Sequence, residues 1–129
     1  MKVIDSSALI KYIVKEEGWE NVEKHLKEGC ATLNLALKEA ANALVKKMLK
    51  GEVDIETAQQ IINHIPKIVK ITSQVEHFPK ALEIAVKHKI TIYDALYIAL
   101  AVNTNELLLT SDKEQAKASR EYGVTTIFI

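Results

Sequence analysis

Four carboxylates stand apart from the other acids of this chain: Asp5, Glu39, Asp94 and Asp112. Asp94 is the only charged residue between Ile90 and Val102. A carboxylate among apolar neighbours is costly to bury unless it is paired or bound to a cation. Asp5 directly follows the apolar pair Val3-Ile4, and Asp112 follows Leu107-Leu-Leu-Thr-Ser111. Glu39 lies inside an amphipathic segment, and no lysine three or four residues later pairs with it. Its neighbours Ala36, Ala40 and Ala43 are small enough to let another element or a ligand come close. Carboxylates are hard oxygen donors, which suit Mg²⁺ or Mn²⁺ better than zinc.

Each acid also has a purely structural reading. Asp5 and Asp112 stand where a strand gives way to a helix, and aspartate is a favoured N-cap. Thr91-x-x-Asp94 and Asp112-x-x-Gln115 both fit capping boxes. Glu39 reads by default as a solvated surface glutamate. Position alone leaves both readings open for all four.

Other chemistry finds less support. His25, His64, His77 and His88 share no metal-ligand spacing and read as surface positions on helices. Ser6 and Ser7 have no His or Lys at motif spacing, so a nucleophilic serine is not indicated. No glycine-rich phosphate loop is present. The single cysteine, Cys30, cannot form an internal disulfide, which suits a reducing compartment. Lys46, Lys47 and Lys50 read first as a solvated face. They share a helix with Glu39 and Asn42, so Lys46, Lys50 and Asn42 are weak candidates for steering a phosphodiester toward it.

The elements that would position the acids follow from periodicity. Strands are expected at Lys2–Asp5, Cys30–Leu33, Lys67–Ile71, Glu106–Thr110 and Val124–Ile129. Helices are expected over Ser6–Val14, from Trp19 to Gly29, over Leu35–Lys50, from Asp54 to about His64, and over Val75–His88, Thr91–Val102 and Asp112–Tyr122. In the third helix, Leu37, Ala41, Leu44, Val45 and Met48 form the apolar face. Alternating strands and helices argue for an α/β fold with a mainly parallel sheet. In such sheets ligands bind beyond the carboxyl ends of the strands, where Asp5 and Asp112 fall.

The chain has 129 residues, 48% apolar and 26% charged, which fits one compact domain spanning 1–129. No linker, internal repeat, leader or membrane-length apolar run is read. The net charge is zero, and Arg120 is the only arginine. That balance argues against nucleic-acid binding by bulk electrostatics, but not against substrate held locally through metal ions.

Together with their flanks, the four acids resemble the PIN-domain family over essentially the whole chain. Val3-Ile-Asp5-Ser-Ser7-Ala-Leu is similar to the family's opening strand, and Glu39-Ala-Ala-Asn42-Ala-Leu44 to its helical acid motif. Ile92-Tyr-Asp94-Ala-Leu-Tyr-Ile-Ala-Leu-Ala101 resembles the third motif and is the most specific segment. Leu108-Leu-Thr110-Ser-Asp112-Lys113 resembles the fourth. Within the family, the length and wording resemble VapC toxins, the ribonuclease halves of toxin–antitoxin pairs.

The resemblance implies a three-layer α/β/α sandwich and a metal-dependent endoribonuclease acting on RNA. It further implies a cytoplasmic homodimer held in check by a VapB-type antitoxin. The acids would converge on Mg²⁺ or Mn²⁺, with Asp5 and Asp94 as core ligands. Asp112 would ligate directly or through water, and Glu39 would ligate or orient the attacking water. Ser7 and Thr110 would hydrogen-bond the carboxylates. Three other readings compete: a PIN-like module that binds without cutting, an aspartyl-phosphate phosphotransferase, and a stand-alone RNA-processing nuclease. The phosphotransferase usually needs a second acid beside or two residues after the first, which Asp5-Ser6-Ser7 lacks.

Overall fold

The computed structural model describes residues Met1–Ile129. Five short strands, β1 (Lys2–Ile4), β2 (Cys30–Leu33), β3 (Lys70–Thr72), β4 (Leu108–Thr110) and β5 (Thr126–Phe128), form one sheet. Its order is β3-β2-β1-β4-β5, and every pairing is parallel. Seven helices connect and flank it: α1 (Ser6–Ile13), α2 (Trp19–Glu28), α3 (Leu35–Leu49), α4 (Ile55–Ile68), α5 (Phe78–His88), α6 (Ile92–Thr104) and α7 (Lys113–Glu121).

Successive strand residues point to opposite faces of a sheet. Leu108 and Leu109 of β4 are both fully buried, so both faces are covered by helices. Val3 and Ile4 of β1 show the same pattern. This is the α/β layering expected from the alternating pattern. The sheet leaves β1 in one direction toward β2 and β3, and in the other toward β4 and β5. The crevice between β1 and β4 is therefore the point where the strand order reverses, the position at which open parallel sheets bind ligands.

Two helices set the positions of the acids. α6 buries seven consecutive residues, Ala95–Ala101, because it carries almost no polar side chain and is packed on all sides. α3 turns inward a face that overlaps the expected one at Leu44 and Leu37 but is rotated away from Val45. Leu35, Ala36, Ala40 and Leu44 are buried, while Val45 is 43% exposed. The small alanines let α3 approach its neighbours closely, which outweighs burial of the bulkier Val45. Glu39, next to Ala40, is thereby drawn to the edge of the packed face rather than away from it.

The expected strand Lys67–Ile71 is shifted. α4 continues through Pro66 to Ile68, and β3 begins at Lys70. Proline removes one backbone donor, but Ile65 and Val69 are buried on either side of it and hold the last turn in place. The segment from Val75 starts as a 3-10 turn, Val75–His77, before α5, with Pro79 in the first turn of that helix. His77 is buried and bonded to Asn103 at 2.8 Å, so it is not a surface residue. Much of the His88 side chain is also covered. No helix is long and apolar enough to cross a membrane.

Candidate active site

β1 delivers Asp5 to the crevice. The Asp5 backbone N–H donates to Leu109 of β4 at 3.1 Å, so the residue leaves its strand still tied to its neighbour. There the backbone is extended and Asp5 caps α1: its Oδ1 accepts from Ala8 N–H at 3.0 Å. The same oxygen accepts from Ser7 Oγ at 2.7 Å, and Oδ2 accepts a short bond from Thr110 Oγ1. Both hydroxyls reach further. Thr110 Oγ1 accepts from Asp112 N–H at 3.0 Å, and Ser7 Oγ accepts from Ser111 N–H at 2.9 Å. Two hydroxyls thus stitch the loop after β4 to the end of β1, the hydrogen-bonding role expected of Ser7 and Thr110.

Asp112 caps α7. Its Oδ1 accepts from Glu114 and Gln115 N–H at 2.8 and 3.0 Å, and its side chain faces solvent. Asp94 sits half-buried in the first turn of α6, behind the Thr91 cap, whose hydroxyl accepts from Asp94 N–H at 3.2 Å. The capping readings of the sequence are therefore correct for Asp5, Asp112 and Thr91. They do not compete with a site, because a cap uses only part of a carboxylate's acceptor capacity.

Asp5 and Asp94 each feel the charge of other acids. Asp5 is raised to about 6, first by burial, with Asp112 adding to the rise. Asp94 is also raised, first by burial and then by Asp112 and Glu39. None of the four carboxylates forms a salt bridge. The leading charges acting on Asp5 and Asp94 are all negative. The donors are oxygen throughout, with no histidine or cysteine among them. That chemistry fits a hard divalent cation, which would supply the missing positive charge. As the side chains stand, no three acids are grouped tightly enough to hold a single ion.

Sequence reasoning missed the roles of two residues of the site. Gln115 is buried, and its Nε2 donates to the Asp94 carbonyl at 2.9 Å, tying α7 to the start of α6. Its Oε1 has no partner. Tyr97 is 1% exposed, and its hydroxyl donates to Glu39 Oε1 at 2.7 Å. Burial and the Glu39 charge both push the Tyr97 phenol upward, keeping it protonated. Its position three residues after Asp94 on a helix was the one available clue. Asn42, Lys46 and Lys50 are exposed on α3 and make no bond to the acids. At ~1.5 Å of rise per residue, Lys46 and Lys50 lie about 10 and 16 Å along the axis from Glu39.

Residues 2–121 match the PIN domain family model. Ribonuclease VapC3 of Pyrobaculum aerophilum is 34% identical over 120 residues, covering 89% of this chain and 92% of that protein. Exonuclease VapC9 of the same organism is 32% identical, covering 98% and 92%. Among solved structures, PAE2754 from Pyrobaculum aerophilum superposes with a TM-score of 0.75 at 29% identity, covering 97% of this chain and 82% of that one. VapBC2 from Rickettsia felis, solved bound to a DNA fragment from its promoter, shares the fold at TM-score 0.70 and 16% identity, covering 99% and 98%. An acid group at the switch point of a five-stranded parallel sheet, a family match over nearly the whole chain and VapC relatives at this identity agree: the chain belongs to the PIN-domain family.

Proposed function

We propose that this chain is a metal-dependent endoribonuclease that hydrolyses RNA phosphodiesters, the toxin of a VapBC pair. The observation that carries the reading is the acid group itself. Asp5 leaves β1 at the sheet's switch point, Asp112 acts on it and on Asp94, Glu39 acts on Asp94, and no salt-bridged cation offsets them. VapC relatives and a VapBC complex among the fold neighbours support the toxin role and a VapB-type antitoxin partner. A single nuclease domain, a homodimer and a cytoplasmic location belong to the same proposal.

Asp5, Asp94, Asp112 and Glu39 would hold Mg²⁺ or Mn²⁺. Once bound, the ion would lower the pKa of a coordinated water and neutralise charge on the phosphoryl oxygens. Asp5 is held rigid by Ser7, Thr110 and Ala8, so its oxygens present a fixed direction to the crevice. Asp112 keeps Oδ2 free while Oδ1 caps α7. Glu39 keeps Oε2 free while Oε1 is bonded to Tyr97. Lys46 and Lys50 would attract the RNA backbone from the exposed side of α3.

The decisive experiment incubates a mixed RNA pool and a circular RNA with the purified protein, with and without Mg²⁺ or Mn²⁺, beside Asp94→Asn. Metal-dependent cutting of both substrates by wild type alone supports the proposal. Cutting of linear RNA only would replace the endonuclease by an exonuclease. Equal cutting by the variant would remove Asp94 from the site. Metal calorimetry showing no binding would leave a module that holds RNA without cutting it.

A further inference from the structure

A buried phenol needs a hydrogen-bond partner, because an unsatisfied hydroxyl in an apolar interior costs more than the bond itself returns. Tyr97 is among the largest fully buried side chains and lies in the stretch of α6 that is packed on all sides. Its hydroxyl bonds no backbone carbonyl of its own helix. It reaches instead across to Glu39 Oε1 at 2.7 Å, 58 residues earlier in the chain. No other hydrogen bond joins α3 to α6. Tyr97 and Asp94 are three residues apart on one helix and so share a face. The same face of α6 therefore presents Asp94 and grips Glu39.

We propose that Tyr97 is the positioning residue for Glu39, holding its carboxylate beside Asp94 as a one-oxygen donor through Oε2. The inference rests on the reading of Glu39 as a metal-site carboxylate. Glu39 has no other anchor. It caps no helix, and no side chain but Tyr97 bonds it. A glutamate has three side-chain torsions, and a half-exposed one samples several rotamers in water. A bond from an ionised carboxylate to a buried, rigid donor is charge-assisted and selects one of them. Partners of this kind, one step removed from a metal, are worth about ten- to a hundredfold in metal affinity or activity.

The test is a double-variant cycle on the full chain, comparing wild type, Tyr97→Phe, Glu39→Gln and the pair. Each is read by Mn²⁺ calorimetry and by kcat and KM on RNA. Tyr97→Phe keeps the ring in the core, so its melting midpoint stays close to wild type. Mn²⁺ affinity or kcat falls by about ten- to a hundredfold, KM moves little, and the same change on the Glu39→Gln background adds less than about twofold. An equal loss on both backgrounds would make Tyr97 a structural residue and overturn the inference. So would wild-type Mn²⁺ affinity and kcat in Tyr97→Phe. Glu39→Gln binding Mn²⁺ and cutting like wild type would overturn the inference at its root, by removing Glu39 from the site. Should Tyr97→Phe fail to fold, Glu39→Asp shortens the reach to the phenol without touching the core. It must then reproduce the loss, and wild-type behaviour there overturns the inference equally.

Discussion

At the start of α1, Asp5 has an extended backbone and accepts from the N–H three residues on at 3.0 Å. At the start of α4, Asp54 has the same backbone region and the same bond to Thr57, also at 3.0 Å. The two caps are locally alike, yet their acidities move in opposite directions. The hydrogen bonds from Thr57 pull Asp54 below the usual carboxylate range, since the residue is exposed. Burial pushes Asp5 up to about 6 against three hydrogen bonds that favour its ionised form. Capping explains why an aspartate stands at each position. It does not explain why one is sunk beneath two hydroxyls beside Asp112.

The comparison breaks first on activity. Asp94→Asn, and likewise Asp5→Asn, should lower metal-dependent RNA cleavage by about a thousandfold, the rate equivalent of the ~4 kcal/mol a metal contributes to charge stabilisation. Asp54→Asn should cleave as wild type does. Single-turnover rates on one RNA would show it, and a defect in Asp54→Asn as deep as the others would reduce Asp5 to an ordinary cap.

The second contrast is in stability against pH. A carboxyl raised from 3.8 to about 6 is favoured neutral in the folded state. Its contribution is present below the unfolded value and is lost as pH rises through the folded one, about 3 kcal/mol in all. Urea midpoints of wild type should therefore fall relative to Asp5→Asn between pH 4 and 7. Asp54 has the opposite sign, stabilising above its unfolded value. Added Mg²⁺ should recover the loss at pH 7 and have little effect at pH 4, where Asp5 is protonated. A wild-type minus Asp5→Asn difference that stays flat across this range would sink the argument.

Smaller effects sharpen the contrast. Asp54→Ala should lower the melting midpoint by a few degrees, the scale of a lost N-cap, without altering Mn²⁺ affinity. Lys46→Glu with Lys50→Glu should raise KM for RNA by roughly threefold to tenfold, as expected of screened surface charges, and leave kcat unchanged. A kcat defect in the lysine pair would place those side chains nearer the chemistry than the α3 axis does.

Much of the fold was legible because strand and acid are adjacent in the chain. Val3-Ile4-Asp5 and Leu108-Leu-Thr110 announce a buried strand and the polar residues at its carboxyl end in a few letters. What misled was wherever packing overrode pattern. Lys67–Ile71 carries the β-branched residues of a strand, but pairing with β2 starts at Lys70, and Ile65 is better buried as helix. On α3 two apolar stripes were available, and the one with small residues won because it permits close approach. Tyr97 and His77 were invisible for a shared reason. Both are polar groups inside apolar surroundings, and what they bond lies 58 and 26 residues away. Sequence shows that such a group needs a partner, and only the fold shows which.

Of the three bonds that seat the Asp5 side chain, those from Ser7 and Ala8 are local, but the one from Thr110 comes from a residue made 105 residues later. On a ribosome adding ~5–20 residues each second, about 5 to 20 s separate the first acid of the site from its hydroxyl partner. Through that interval the nascent chain carries Asp5 and Glu39 but has no crevice to hold them. The segment that runs from Asp5 to Asp112 must therefore leave the ribosome before the crevice between β1 and β4 can seat its first acid.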